Sequence, residues 1–169
     1  TYLTRRSGNK KEKASNLINQ AFFNTGYRTR AHAVKTFNGI DSGDEEFEIK
    51  CTRRMIIATL MNLIDNSIYW LTNKGSKDKR IYIGTTNELE GGPSLVIADN
   101  GPGFSDPTSY LTQPFITRRP DGMGLGLHIA SEIMKAHDGL LLFPDPGSIG
   151  LPKGYTGAVV AMQFPKEKK

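Results

Sequence analysis

Very little in this chain could hold it together or anchor it other than its own core. Only one of its 169 residues is cysteine, Cys51. No internal disulfide is possible, so a disulfide-stapled scaffold is excluded. A lone Cys beside an apolar helix reads as an inert core thiol, and the expected compartment is reducing, intracellular and cytoplasmic. No apolar run approaches the roughly 18–20 residues that a membrane-spanning helix needs. The opening TYLTRRSGNKKEKAS is polar and basic rather than signal-like. No Gly-Lys pair occurs anywhere, which removes the P-loop. The Rossmann spacing of glycines opening a helix straight after the first strand is also missing. What remains is one ordinary domain with 37% hydrophobic residues, enough for a core of its own.

The net charge of +5 invites a nucleic-acid reading, but its distribution argues against one. Residues 1–13 carry five Lys/Arg against one Glu, and residues 166–169 carry three Lys against one Glu. The remainder is therefore close to neutral, and no recognition-helix, zinc-finger or RNP-like pattern supports the tails. Neither nucleic acid nor a membrane surface is an expected partner. Residues 1–14 read as a basic linker or the remnant of an upstream helix, 15–165 as the domain, and 166–169 as a basic tail.

Hydrophobic spacing predicts helices over Ser15–Phe23, about Thr52–Leu71 and Leu125–Ala136. Stops are expected near Asn73–Gly75 and at Asp138-Gly139. Strands are predicted at Val34–Phe37, Ile81–Thr86, Ser94–Ala98, Leu140–Phe143 and Ala158–Phe164, with NELEGGP turning the middle pair. Asn38–Glu46 and PDPGSIGLPKGYTG read as loops. The fold class expected is α/β, an α+β two-layer sandwich: a mixed, mostly antiparallel sheet with about three helices on one face.

Three glycine-rich places stand out: ADNGPGF after a strand, DGMGLGL before a helix, and YTG before the last strand. Glycine lets backbone N–H groups approach a ligand closely. Loop amides running into a helix N-terminus make an anion site. In NLIDNSIYW, Asn62 and Asn66 stand at i and i+4 on one helix face. An unpaired buried amide costs roughly 1–3 kcal/mol, so two of them need a purpose. An Asn carbonyl is a hard oxygen ligand suited to Mg²⁺, which takes few protein ligands beside phosphate and water. Asp99, ending a strand at the same cleft, can accept an N–H from an exocyclic amine. Amine at one end, phosphates at the other and a metal between them describe ATP with Mg²⁺.

With those residues in view, the sequence resembles the ATP-binding catalytic domain of sensor histidine kinases. That superfamily is shared with gyrase-type topoisomerases, the ninety-kilodalton heat-shock chaperone and mismatch-repair ATPases. LMNLIDNSIYW resembles the N box, IADNGPGF the first glycine box, QPFITRR the F box and DGMGLGLHIA the second glycine box, in the family's order. The resemblance covers about Ser15–Pro165 and implies the Bergerat ATP-binding fold. It makes Asn66 the Mg²⁺ ligand, while Asn62 touches the phosphate end or orients Asn66. Asp99 holds the adenine amine, and Gly101 and Gly103 let the chain pass the base. Phe115 anchors a lid over about Ser105–Asp121, and Thr117, Arg118 or Arg119 reaches the phosphates. Gly122, Gly124 and Gly126 wrap them. Tyr69, Trp70, Phe104, Met123, Leu125, Leu127 and Thr156 complete the expected nucleotide contacts. Asn62, Asn66, Arg118 and Arg119 are the catalytic set. The implied partners are the kinase's own dimerisation and phosphoacceptor domain, absent from this chain, and a response regulator.

Two departures accompany the resemblance. The family often has Lys or Arg where this chain has Tyr69, so phosphate charge must come from Arg118, Arg119 or Lys74. The loop before Gly157 is also long. Plainer readings stand beside the functional ones. Trp70 can be core, Arg118 and Arg119 a solvated pair, and Asn62 a backbone-bonded amide. His128 and His137 read as packing or surface residues, and His32 lacks a phosphoacceptor context. Hydrolysing relatives carry Glu at the position of Asn62 as general base, and an amide cannot take that proton. Asp65 lies off the Asn66 face and is a poor substitute. The expected activity is phosphotransfer to histidine. A stand-alone switch ATPase and a non-catalytic nucleotide-binding module are the alternatives.

Overall fold

A computed structural model describes residues 9–73, 75, 77–104, 108–114 and 126–167. Its strands are β1 Asn9–Lys13, β2 Val34–Asn38, β3 Glu48–Thr52, β4 Lys79–Thr86, β5 Ser94–Asp99, β6 Leu140–Leu142 and β7 Val159–Gln163. Its helices are α1 Ala14–Asn24, α2 Gly26–Ala31, α3 Arg53–Asn73, α4 Thr108–Leu111 and α5 Gly126–Ala136. Five strands form one sheet in the order β2-β4-β5-β7-β6, and β1 and β3 form a separate antiparallel ribbon. Among the described residues only β2 and β4 pair in parallel; the β4–β5, β5–β7 and β6–β7 pairs are antiparallel.

Helices α1, α3 and α5 pack on one sheet face, as the periodicity predicts. The core lies between them, with Leu17, Ile56, Leu60, Ile64, Ile68 and Leu71 from the helices meeting Ile81, Ile83, Leu95, Ile97 and Met162 from the strands. Side chains alternate across a sheet. Asp99 therefore shares the face of Leu95 and Ile97, and its carboxylate enters the helix layer.

The other sheet face is also covered. Ile149, Leu151 and Tyr155 of the segment between β6 and β7 pack on Tyr82, Val96, Ala98, Val159 and Ala161. The long loop thus has a structural task. It also explains why every residue of β5 and β7 is buried, as a strand covered on both faces requires.

Two strands and two short helices, α2 and α4, escape the sequence reading. Residues 9–13, taken as linker, pair with β3 in the register Lys11 opposite Lys50. Their run of charges hid a strand whose chain then enters the fully buried Ala14. Strand β3 does alternate, with Ile49 and Cys51 buried and Glu48 and Lys50 exposed. The short α2 carries only a local turn's worth of signal. The start of α1 is capped from a distance, since Ser15 N–H donates to Glu46 at 3.1 Å and the Ser15 hydroxyl bonds the same carboxylate. An anionic cap at a helix N-terminus is favourable on both hydrogen-bonding and dipole grounds.

Helix α5 ends in a Schellman arrangement. Gly139 N–H reaches Met134 O at 2.8 Å and Asp138 N–H reaches Lys135 O at 3.0 Å, while Asp138 takes the left-handed φ of 59°. Gly139 follows because a Cβ there would strike the Gln163 carbonyl. His137, buried at this end, accepts the Thr52 N–H on Nε2 at 3.1 Å, and its Nδ1 meets Ile133 O at 2.8 Å. It is a packing residue, as the sequence suggests.

Burial, with Glu12 adding to it and Arg53 opposing it, pushes the Cys51 thiol up to about 12. In the unfolded chain a thiol ionises near 8.5. The folded protein should therefore resist a thiolate-directed reagent at pH 8 and react only when denaturant is added. Stability should fall as pH climbs from about 8.5 toward 12, because the unfolded thiol loses a proton that the folded one keeps. Labelling followed by mass spectrometry checks the first outcome, and denaturant midpoints across that pH range check the second.

Candidate functional site

Helix α3 turns its apolar stripe inward through Leu60, Leu63, Ile64, Ile68 and Leu71. Asn62 lies outside that stripe and is exposed, and Asn66 is half-buried. The two amides are therefore not core groups. Asn66 lies on the edge of the helix that meets the start of α5, where a Cβ added to Gly126 would sit 3.7 Å from its Nδ2. The first turn of an 11-residue helix thus opens beside Asn66. The first N–H groups of a helix lack intrahelical partners and its dipole is positive at that end, so such a terminus favours an anion. One turn further along α3, Tyr69 and Trp70 are half-buried and pack edge-to-face, with centroids 5.0 Å apart. Asp65, on the neighbouring flank of α3, is ion-paired with Arg28 of α2.

At the end of β5, the Asp99 side chain is 3% exposed. Its Oδ1 accepts the Gly101 N–H at 2.9 Å and the Ala158 N–H at 3.1 Å. Its Oδ2 accepts the Ser67 hydroxyl at 2.9 Å. The backbone closes around it as well, because Asp99 N–H donates to Ala158 O at 3.1 Å and Gly157 N–H to Asp99 O at 2.9 Å. Only glycine fits at 157. A Cβ there would strike Asp99 Oδ1 and lie 2.6 Å from Gly101 N. Gly103 turns the chain away with φ of 83°. Asn100 ties this turn to β4, accepting the Arg80 N–H at 2.8 Å and donating to Asp78 O at 2.9 Å.

The structure therefore brings Asn66 to Gly126 and gathers Asp99, Gly101, Gly103 and Gly157 into one cradle. Thr156, next to it, is exposed. Phe104 is 38% exposed and edge-to-face with Phe143 at 5.4 Å. Leu127 packs against the core, and His128 Nδ1 meets Thr112 O at 2.9 Å, joining α5 to the segment after α4. Lys74, Phe115, Thr117, Arg118, Arg119, Gly122, Met123, Gly124 and Leu125 lie outside the described residues, with much of the expected lid. The sequence reading missed Ser67. The available signal was a hydroxyl falling on the inward stripe of α3, where apolar residues are otherwise the rule.

Residues 52–168 match the family described as histidine kinase-, DNA gyrase B- and HSP90-like ATPase. The chain belongs to this family. Among its relatives is the C4-dicarboxylate transport sensor protein DctB of Rhizobium meliloti, 34% identical over 108 residues. That match takes in 63% of this chain and 16% of the relative, so the chain spans about a sixth of the relative's length. Among solved structures, the catalytic domain of histidine kinase ThkA superposes with a TM-score of 0.69 at 20% identity, covering 94% of this chain and 95% of that one. ThkA in complex with the response regulator protein TrrA superposes with a TM-score of 0.66 at 18% identity, covering 94% of this chain and 42% of that one. The fold is that of histidine-kinase ATPase domains, with its mixed sheet and one helix layer. Among the described residues, no helix is long and apolar enough to cross a membrane.

The glycine cradle at Asp99 is the proposed seat for a purine, and a Cβ at 157 would intrude into it. Gly157→Ala should reduce ATP affinity at least tenfold, because the added carbon drives the Asp99 and Gly101 backbones apart. Titration calorimetry checks this, with a melting curve to confirm that the variant is folded.

Proposed function

We propose that this domain binds ATP with Mg²⁺ and donates the γ-phosphoryl group to a histidine on a separate dimerisation and phosphoacceptor domain. A response regulator would then take the group from that histidine, in a cytoplasmic two-component relay. The carrying observation is the amide at residue 62. Asn62 stands exposed one turn before Asn66, at the place where a water-activating carboxylate would have to stand. The neighbouring carboxylate, Asp65, is engaged by Arg28. With no base for water at that position, hydrolysis is disfavoured. A histidine imidazole needs none from this domain, because it brings its own lone pair to the phosphorus as ADP departs.

The donor set suits a magnesium ion that arrives with phosphate. Asn66 offers one hard carbonyl oxygen, and among the described residues no cluster of three or more His, Cys, Asp or Glu side chains could hold a metal by itself. Mg²⁺ supplies charge neutralisation on the phosphate oxygens. The chain's own groups orient the nucleotide: Asp99 takes the adenine amine, Asn66 holds the metal end, and the N-terminus of α5 faces the phosphates. Arg118 and Arg119 are the proposed cations over the γ-phosphate, in place of the family's basic residue at Tyr69. The relatives that support this reading include sensor proteins and a kinase solved with a response regulator.

The test is γ-labelled ATP mixed with this domain, Mg²⁺ and the histidine-bearing helices of its parent kinase. Acid-labile, base-stable label should appear on the helices. Phosphate release by the domain alone should remain well under the ~1 s⁻¹ of an ordinary enzyme. Asn66→Ala should abolish both Mg²⁺-dependent binding and transfer. Asn62→Glu should either gain measurable hydrolysis or lose binding through repulsion of the phosphates. Brisk turnover by the unmodified domain would instead identify a switch ATPase.

A further inference from the structure

Arg80 stands behind the sheet, yet it is joined to both glycine turns of the cradle. Ile81 is paired with Asp99 across β4 and β5, and side chains alternate along a strand. The Arg80 side chain therefore lies with Tyr82 on the face opposite the Asp99 carboxylate. Through its backbone Arg80 is tied to the turn after β5. Its N–H donates to Asn100 Oδ1 at 2.8 Å, and its carbonyl accepts the Asn100 N–H at 3.4 Å. Through its guanidinium it is tied to the segment before β7. That group lies 5.3 Å from the Tyr155 ring centroid, and a Cβ added to Gly154 would come within 3.0 Å of its Nη2. The same Nη2 meets Asp78 at 3.3 Å.

The two turns must match closely. A Cβ at Gly157 would lie 2.6 Å from Gly101 N, and one at Gly103 would lie 3.7 Å from the Gly157 carbonyl. Tyr155 is buried two residues before Gly157, and its ring meets both Tyr82 and the Arg80 guanidinium. A cation over a ring face is attracted by the ring's quadrupole, most strongly where water is excluded. We propose that Arg80 is a positioning residue for purine binding. It fixes the YTG turn against the first glycine turn before a nucleotide arrives, so the cradle is formed in advance. This rests on the assignment of the cradle to the purine. Without the guanidinium, the pairing of β7 with β5 and the packing of Ile149 and Leu151 still hold the fold, but the turn at 156–157 gains freedom. A ligand that must order its own site binds more weakly. A ligand that lacks a base does not meet that cost.

The experiment is displacement of a fluorescent nucleotide by ATP and by tripolyphosphate, both with Mg²⁺, on the wild-type chain, Arg80→Met and Asp99→Asn. Arg80→Met keeps an apolar stem and removes the cation. It should weaken ATP about fivefold and tripolyphosphate less than twofold. Without ligand, the amides of residues 155–158 should exchange faster in this variant, while those of β5 keep their wild-type rates. A merely structural role would lower the folded fraction and weaken both ligands alike. Should Arg80→Met fail to fold, Arg80→Lys, which keeps a charge but not the planar stack, carries the same comparison. Equal weakening of the two ligands, an unchanged ATP affinity, or unchanged exchange at 155–158 overturns the proposal. Asp99→Asn should weaken ATP and spare tripolyphosphate. That result beside an unaltered Arg80 variant leaves the purine assignment standing and removes only the part given to Arg80. ATP binding untouched by Asp99→Asn overturns the assignment itself and the Arg80 proposal with it.

Discussion

A carboxylate almost wholly removed from water must be held at the end of β5, and much of the site follows from that constraint. Burying such a group costs several kcal/mol unless donors surround it. Asp99 is met by donors from three parts of the fold: the turn after β5, the entry to β7, and the middle of α3. Each must approach to hydrogen-bonding distance, which forces glycine at 157 and brings Gly101 against Leu71 of α3. The cradle is thus a by-product of satisfying one side chain. It also couples the sheet to the helix layer where a ligand would enter.

The second sheet face shows how the same region is held from behind. Tyr155 packs on Tyr82 and under the Arg80 guanidinium, 5.3 Å from the ring centroid. It lies two residues before Gly157, so the long loop that covers Val96 and Val159 also delivers the YTG turn to Asp99. Tyr82 in turn donates its hydroxyl to Asp44. Burial, followed by that bond and the Asp44 charge, holds its phenol far above the ordinary range. Length that looked surplus in the sequence is packing area that sets the position of the site's third glycine segment.

On α3 the division of labour follows the helical period. The inward stripe holds the core, the edge with Asn66 meets the start of α5, and the flank with Asp65 is closed by Arg28. An acid on that flank is tied to α2, and an amide occupies the edge.

The sequence by itself determined the helix layer, the five strands of the main sheet and the family boxes. Each rests on local information: 3.6-residue and two-residue periods, glycine at sharp turns, and asparagines four apart. It also carried the β3 alternation, overlooked because only two of its five residues are apolar. Only the tertiary structure decided the rest. Strand β1 is charged and exists because β3 supplies its partner. The cap of α1 comes from Glu46, 31 residues away. The Ser67–Asp99 bond spans 32 residues, and nothing in the spacing distinguishes it from the local bond that Thr59 makes to Met55 O. Local pattern reports which face of an element is apolar. Which donor meets which acceptor is decided when the layers close, because a hydrogen bond is set by distances within a few tenths of an ångström that no period encodes.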